Sequence, residues 1–154
     1  MGEASNVGLR LLRKGWEVLS LFSCQRPYGY LPFGRGVSDT PYGPFVPEPD
    51  PIRGSYSIDP AVFKDDDGQV YVYFGGLMGG QLQRYKDNNA LECAEFPADG
   101  EPAIPSRVAR LAEDMKQFAE EPRPVVILDE DGKPLKAGDH DRRFFEASWM
   151  HKYN

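Results

Sequence analysis

The fold of this chain is decided by residues 61–74, which read AVFKDDDGQVYVYF. Two β-branched and aromatic runs flank an acidic turn, where Gly68 supplies the positive φ that a tight hairpin needs. We therefore predict a hairpin of two strands, Ala61–Phe63 and Val70–Phe74. The second run is apolar on both faces, which is typical of an inner strand that is covered on both sides.

Further strands are predicted from similar runs beside turns. A glycine-rich stretch, residues 75–80, leads to a third predicted strand at Gln81–Tyr85, and another at Val125–Leu128 precedes a second acidic turn. One segment is ambiguous, because its apolar residues recur at helical spacing: Val108, Leu111, Met115 and Phe118. From periodicity alone this segment is a helix of about three turns. Every other segment indicates strand and turn.

The composition excludes several classes of protein. Sixteen glycines and fourteen prolines in 154 residues argue against helix bundles and coiled coils. No apolar run approaches the ~20 residues of a membrane span. The net charge of −6 argues against nucleic acid as the main partner and favours a neutral or cationic small ligand. We find no clear secretion signal and expect a cytoplasmic protein.

The sequence predicts no metal site. Cys24 and Cys93 are too few for a disulfide framework and lack the spacing of metal ligands. His140 and His151 lie eleven residues apart and match no zinc pattern. We therefore expect neither metal ligands nor a cofactor in this chain.

The chain repeats itself weakly. Residues 59–64 align with residues 146–151, because each begins with a carboxylate, continues through apolar or small residues and ends at a basic side chain. Sheet repeats without intervening helices indicate a β-propeller, in which the innermost strand of each four-stranded blade faces a central channel. Asp59 and Glu146 would then share one pocket, and paired carboxylates are typical of glycosidic bond cleavage. From the residues alone, an Asp before Pro is more often a turn or strand-edge residue and an isolated Glu is usually solvated, so the non-catalytic interpretation is favoured at this point.

Three motifs in order resemble glycoside hydrolase family 43. Residues 36–45 (GVSDTPYGPF) are similar to the family's blade-closing segment, and residues 57–76 to its third-blade signature. Residues 144–152 (FFEASWMHK) resemble the strand that carries the general acid. The resemblance implies an all-β fold, a partial five-bladed β-propeller of about two to two and a half blades of four-stranded antiparallel sheet. It also implies a strand at Arg107–Leu111, and we adopt that interpretation over the helix.

The resemblance implies roles for individual residues. Glu146 would be the general acid, and Asp59 a third carboxylate that orients the acid and keeps its pKa high. Ile58 and Trp149 are predicted to bind substrate, Trp149 by stacking on a sugar ring, although core packing explains Trp149 at least as well. The resemblance also implies a histidine near the central channel, often beside a metal ion in family members, and that histidine has no counterpart in this chain.

The resemblance fails near the N-terminus. The family's catalytic base is a first-blade Asp, and no acidic residue before Asp59 lies in such a pattern: these are Glu3, Glu17, Asp39, Glu48 and Asp50. We therefore divide the chain into an unassigned segment, residues 1–30, and part of a propeller catalytic domain, residues 31–154. Five blades of ~40–50 residues need more than this chain contains, so we expect a fragment of the middle blades.

Two functions remain open. The first is inverting hydrolysis of terminal β-1,4-xylose or α-L-arabinofuranose from plant-wall oligosaccharides, with activity impaired in this chain by the missing base. The second is a non-catalytic fragment or sugar-binding remnant of such an enzyme. Either way the expected partner is a xylo-oligosaccharide or a small arabinoxylan-derived substrate. The open sheet edges of a partial propeller also favour self-association.

Overall fold

The structure, a computed structural model, describes residues 10–14, 17–23, 31–144 and 146–153. In this part of the chain, strands form two four-stranded sheets and one two-stranded sheet. They are β1 (Arg10–Lys14), β2 (Glu17–Ser23), β3 (Phe33–Ser38), β4 (Val46–Pro47), β5 (Ala61–Lys64), β6 (Val70–Phe74), β7 (Tyr85–Lys86), β8 (Asn89–Ala90), β9 (Ser106–Arg110) and β10 (Arg123–Val125).

Each four-stranded sheet is an antiparallel meander. The first has the order β1-β2-β3-β4 and the second the order β5-β6-β9-β10, with β7 and β8 as a short hairpin between its second and third strands. β1 lies beside β5, so the first strands of the two sheets are neighbours. Meanders that meet along their first strands are the blades of a propeller. The predicted all-β, partial-propeller fold is confirmed.

The hydrophobic core lies between the two sheets. Phe33 of β3 meets Phe74 of β6 edge to face, with ring centroids 5.0 Å apart, and Tyr56 packs on the same ring at 5.4 Å. In β6, Val72 and Phe74 are fully buried, whereas the two tyrosines of the strand are half-buried on its other face. Burying each large apolar side chain contributes about 1.5–3 kcal/mol, so these contacts hold the sheets together.

The hairpin of β5 and β6 has the predicted form. The two strands pair antiparallel, and Gly68 closes the turn at a φ of +85°. The Gly68 N–H donates to the Asp65 carbonyl at 2.9 Å, and the Asp67 carboxylate accepts from the Gln69 N–H at 2.8 Å. The acidic turn is therefore held by its own side chains.

The ambiguous segment is a strand. β9 pairs with β6 on one side and β10 on the other, and residues 113–115 form the turn that follows it. Met115 has a left-handed φ of +58°, which is incompatible with a continuous helix. The strand interpretation is confirmed, because the pairing of β9 between two neighbours outweighs a short apolar periodicity.

The prediction of a strand at Gln81–Tyr85 is wrong. The chain instead forms two 3₁₀ turns, Met78–Gly80 and Leu82–Arg84, and the residue between them has a φ of +60°. The Leu82 N–H donates to the Gly76 carbonyl at 3.0 Å. This bond curls the chain back over the end of β6, so that it cannot extend beside that strand.

The strand predicted at Val125–Leu128 is displaced. β10 begins two residues earlier and ends at Val125, which pairs with Ser106 at the start of β9. Since β9 begins at Ser106, the residues after Val125 have no residue of β9 to pair with. Leu128 forms only an isolated bridge with Pro134.

The boundary predicted between residues 30 and 31 does not divide the sheets. β2 pairs with β3 from Val18–Ser38 to Ser23–Phe33, so residues 1–30 contribute β1 and β2 to the first sheet. The sequence of β1, RLLRK, has three basic residues in five and lacks the alternation by which strands are recognised.

Candidate active site

Asp59 lies just before the first strand of the second sheet. It is half-buried, has a left-handed φ of +56° and is followed by the fully buried Pro60. Aspartate tolerates this conformation because its short side chain can form local hydrogen bonds. Here its Oδ2 atom accepts a hydrogen bond from the Ala147 N–H at 3.2 Å, across 88 positions of sequence.

Glu146 lies beside this contact. Its side chain is exposed, and Ala147 has a left-handed φ of +61° that turns the chain directly after it. A Cβ built on Gly76, two residues beyond β6, would lie 3.3 Å from the Glu146 Cβ. The structure therefore brings Asp59 and Glu146 together where β5 begins and β6 ends.

Ile58 packs against the backbone around this pair. A Cβ on Gly76 would lie 2.8 Å from the Ile58 Cδ1 atom, and one on Gly80 would lie 2.7 Å from its Cγ1 atom. The Ile58 carbonyl accepts from the Gly75 N–H at 3.0 Å, and the buried Ser57 Oγ accepts from the Gly76 N–H at 3.1 Å. Ile58 is thus a packing residue in this structure, and its contact with a sugar stays a prediction.

Residues 146–153 run alongside β5. One end of this segment contacts Asp59 through Ala147. At the other end, the Lys152 Nζ lies 2.7 Å from Asp65 Oδ1 and 2.8 Å from Asp66 Oδ2. Since Asp59 precedes β5 and Asp65 follows it, the segment and β5 run in the same direction. The first strands of consecutive propeller blades have this relation.

The contact with Lys152 changes the acidity of the groups that form it. The hydrogen bond from Lys152 lowers the pKa of Asp65, and a second bond from the Asp66 N–H lowers it further. The bonds to Asp65 and Asp66 raise the pKa of Lys152. The ammonium and the Asp65 carboxylate therefore both stay charged across neutral pH.

Trp149 is exposed rather than packed in the core. About 62% of its surface is accessible, and its ring N–H donates to the Nε2 atom of His151. The ring centroids of these two residues lie 5.6 Å apart, and Tyr153 follows at 6.5 Å from His151. The alternative prediction, that Trp149 packs in the core, is wrong for this structure. Stacking of Trp149 on a sugar stays a prediction.

The described ranges contain no group of three or more His, Cys, Asp or Glu side chains placed to hold a metal ion. In the same ranges we find no helix with the length and apolar character needed to cross a membrane.

Three cavities, of about 730, 540 and 250 Å³, are lined by residues of the second sheet and its loops. None of these three cavities is lined by Asp59 or Glu146, which lie at an open end of the sheet.

Sequence reasoning missed the residues that hold the two carboxylates in place. The glycines after β6 indicated only a connection to the next predicted strand, although a glycine pair directly after an inner strand is also the signal for a close backbone approach. Asp65 and Asp66 indicated only a turn. Lys152 meets them 87 and 86 positions later in the chain, and no local pattern indicates so distant a contact.

The fold and the site together define a class of protein. Adjacent meanders that meet along their first strands are blades of a β-propeller, and here two carboxylates, Asp59 and Glu146, lie at one end of the line along which the blades meet.

Comparison with known proteins identifies the family, although no family model matches the chain. A xylosidase/arabinosidase from Bacteroides ovatus is 74% identical over 121 residues, which cover 79% of this chain and 37% of that protein. A beta-xylosidase from Xylanibacter ruminicola is 63% identical over 143 residues, which cover 93% of this chain and 44% of that protein. The crystal structure of a GH43_1 enzyme from Xanthomonas citri complexed with xylotriose superposes with a TM-score of 0.90 at 50% identity, covering 94% of this chain and 44% of that one.

The chain belongs to glycoside hydrolase family 43, and it spans less than half the length of the relatives it matches. Similarity over 93% of the chain extends into residues 1–30, because residues 31–154 are only 124 of the 154 positions. This agrees with the pairing of β2 with β3.

Proposed function

We propose that this chain carries the acid-bearing part of a family 43 glycosidase site. Glu146 protonates the glycosidic oxygen as the bond breaks, and Asp59 orients Glu146 by holding the adjacent Ala147 amide. One observation carries this proposal: the hydrogen bond from the Ala147 N–H to Asp59 joins the two carboxylate-bearing segments at 3.2 Å. General acid assistance of this kind contributes about 10²–10⁴-fold to such reactions.

The proposed substrate is a short plant-wall oligosaccharide that ends in β-1,4-xylose or α-L-arabinofuranose. The names of the relatives from Bacteroides ovatus and Xylanibacter ruminicola support this substrate class, as does the xylotriose complex of the Xanthomonas citri enzyme. The net charge of −6 is compatible with a neutral sugar. An acid at an open end of the sheet can receive a chain end directly from solvent.

The proposed stereochemistry is inversion. Water attacks the anomeric carbon from the face opposite the leaving oxygen, which requires a base carboxylate about 6.5–9.5 Å from the acid. Among the described acidic residues of the first sheet and its connection, Asp39 and Asp50 are exposed, and Glu48 pairs with Arg35 at 3.8 Å. None of the three forms a hydrogen bond or ion pair with Glu146 or Asp59. We therefore expect little turnover from this chain alone.

A sugar-binding remnant is the second candidate function, and the lack of an assigned base favours it. A chain with the acid and its orienting carboxylate can still hold a sugar at the same position without cleaving it. The two candidates make the same prediction for sugar contact and differ in bond cleavage: the first predicts weak turnover that depends on Glu146, and the second predicts none.

The test combines binding and turnover in the pure chain. Xylotriose is titrated while the carboxyl carbons of Asp and Glu are followed by carbon-13 NMR, and release of the aryl group is measured from aryl β-xylosides and aryl α-L-arabinofuranosides. Glu146→Gln and Asp59→Asn are the test variants. Glu130→Gln, at an exposed position in the remote acidic turn, is the matched control.

We expect xylotriose to shift the Glu146 and Asp59 signals, and we expect both test variants, but not Glu130→Gln, to weaken binding. Turnover that disappears in Glu146→Gln would favour the active enzyme, and binding without turnover would favour the remnant. Xylotriose that shifts neither signal would contradict the proposed site.

A further inference from the structure

Residues 146–153 are placed without the help of a sheet. They lie outside every strand of the described residues, so no ladder of backbone hydrogen bonds fixes them against β5. Ordering a segment that is not in a ladder costs backbone conformational entropy, which other contacts must offset. Individual contacts with the rest of the chain therefore position this segment.

Two such contacts join the segment to the β5–β6 hairpin, one at each end. At the Glu146 end, the Ala147 N–H binds Asp59. At the far end, Lys152 binds Asp65 and Asp66, and we refer to these three residues as the Lys152 latch. A single contact at Ala147 would leave the segment free to swing about that point, whereas two contacts define its direction.

We propose that Lys152 is a positioning residue for Glu146: its ammonium, bound to Asp65 and Asp66, holds the segment parallel to β5 and so fixes the carboxylate at the opposite end. The catalytic meaning of this inference rests on the proposed function, but the positioning itself does not.

The contacts of the three latch residues favour a positioning role for Lys152 over a role that only neutralises the acidic turn. Asp65 and Asp67 already serve the turn by accepting from the Asp66 and Gln69 N–H groups. Among the described residues, the Asp66 carboxylate accepts no hydrogen bond from the turn; it is 82% exposed, yet it lies 2.8 Å from Lys152. Two carboxylates on one ammonium, at 2.7 and 2.8 Å, are charge-assisted hydrogen bonds of normal length.

The exposure of the latch gives it a salt dependence. The Lys152 side chain is 49% exposed and the Asp65 side chain 34% exposed, so dissolved ions screen their attraction. Added salt should therefore loosen the far end of the segment and, through it, the position of Glu146.

The experiment measures the position of Glu146 in the intact 154-residue chain without any need for turnover. The Glu146 carboxyl signal is assigned by its loss in Glu146→Gln, and the exchange rate of the Ala147 amide is measured in parallel. Lys152→Met removes the latch and Lys152→Arg restores its charge. Lys133→Met is the matched control, because Lys133 is also exposed and lies 3.9 Å from Asp131 beside the other acidic turn.

We expect Lys152→Met to shift the Glu146 signal and to raise exchange at Ala147 by roughly threefold or more, as for any locally loosened segment. Lys152→Arg should return both readouts towards those of the unmodified chain, and Lys133→Met should change neither. Added salt should move the unmodified chain towards Lys152→Met and leave that variant unchanged.

Unchanged readouts in Lys152→Met would overturn the proposal, and so would an equal effect of Lys133→Met. If Lys152→Met does not fold, Asp66→Asn removes one of the two charged partners of Lys152 without removing a turn contact described for residues 65–69, and it should move both readouts in the same direction by a smaller amount. Failure of this test leaves xylotriose binding at Glu146 untouched. Failure of the xylotriose test leaves the latch measurable, so the two proposals fail separately.

Discussion

Gly76 is the residue at which the hairpin and the Glu146 segment come closest. A Cβ at this position would lie 2.8 Å from two carbons of Ile58 and 3.3 Å from the Glu146 Cβ. The Gly76 N–H also donates to the buried Ser57 hydroxyl, so the backbone cannot easily withdraw. Gly76 therefore leaves the space in which Ile58 and Glu146 both fit.

Replacement of Gly76 by alanine should lower the free energy of unfolding by about 1–3 kcal/mol, the usual cost of overpacking. Unfolding in urea measures this change. Gly79→Ala is the matched control, because a Cβ there meets nothing within 4 Å. It should leave stability unchanged or raise it by up to ~1 kcal/mol. Equal denaturation midpoints for the two variants would contradict the close approach at Gly76.

The two carboxylates could be proposed from sequence because each lies in a contiguous motif. Asp59 precedes a recognisable hairpin, and Glu146 lies in a run that resembles a family strand. The residues that contact the Asp59 and Glu146 segments could not be proposed in the same way. Whether Gly76 faces Glu146, or Lys152 reaches Asp65, depends on how the segments pack, and the contact itself leaves no pattern in the neighbouring residues.

At the scale of elements, local signals were sufficient where the partner strand is adjacent in sequence. β5 and β6 are joined by a five-residue turn, DDDGQ, and the hairpin is as predicted. The third strand of that sheet is β9, which comes only after residues 75–105. Because consecutive elements usually neighbour each other, Gln81–Tyr85 was the natural candidate. In the structure, two 3₁₀ turns and the small β7–β8 hairpin occupy this part of the chain instead of a third strand.

The Lys152 latch should open in acid. The Lys152 ammonium holds the pKa of Asp65 below its ordinary value of 3.8. A carboxyl whose pKa is lowered by folding stabilises the folded state above its ordinary pKa, and this stabilisation is lost as the pH falls through the lowered value. The raised pKa of Lys152 keeps the ammonium charged into alkaline solution. We expect an intact latch at neutral pH that opens as the pH falls through the lowered pKa of Asp65.

Carbon-13 titration of the Asp65 carboxyl measures this prediction. In Lys152→Met the midpoint should rise towards the ordinary value, because the largest cause of the lowered pKa is gone. Lys133→Met should leave the midpoint where it was. A midpoint that is the same with and without Lys152 would show that the ammonium does not interact with Asp65 in solution.

Tyr56 connects β9 to the turn between β7 and β8. Its hydroxyl accepts from the Arg107 Nε at 3.0 Å and donates to the Asn88 Oδ1 at 2.7 Å. Tyr56→Phe leaves both buried or half-buried groups without this partner, so we expect unfolding to become easier by about 1–3 kcal/mol. Tyr42→Phe, at a side chain that is 94% exposed, should change stability by less than about 0.5 kcal/mol. Equal stabilities of Tyr56→Phe and Tyr42→Phe in thermal or urea unfolding would contradict the hydrogen-bond network of Tyr56.

At the scale of the molecule, the second sheet has one face in the core and one turned outwards. Phe63 lies opposite Tyr71 on the outer face, and Tyr73 lies on the same face. All three are half-buried. Beyond β10, residues 126–128 form a further exposed apolar run, with side chains that are 51%, 41% and 55% exposed. A propeller covers this face with its next blade, and residues 146–153 occupy only the line along β5.

An uncovered face of this kind should make the 154-residue chain associate with itself, because contiguous exposed apolar surface favours burial against a partner. We expect the mass measured by light scattering to rise with concentration. Val126→Lys places a charge in the exposed apolar run and should shift association to higher concentration. Tyr42→Lys adds the same charge at an exposed turn of the first sheet and should not. A constant monomer mass across a roughly hundredfold range of concentration would contradict association through this face.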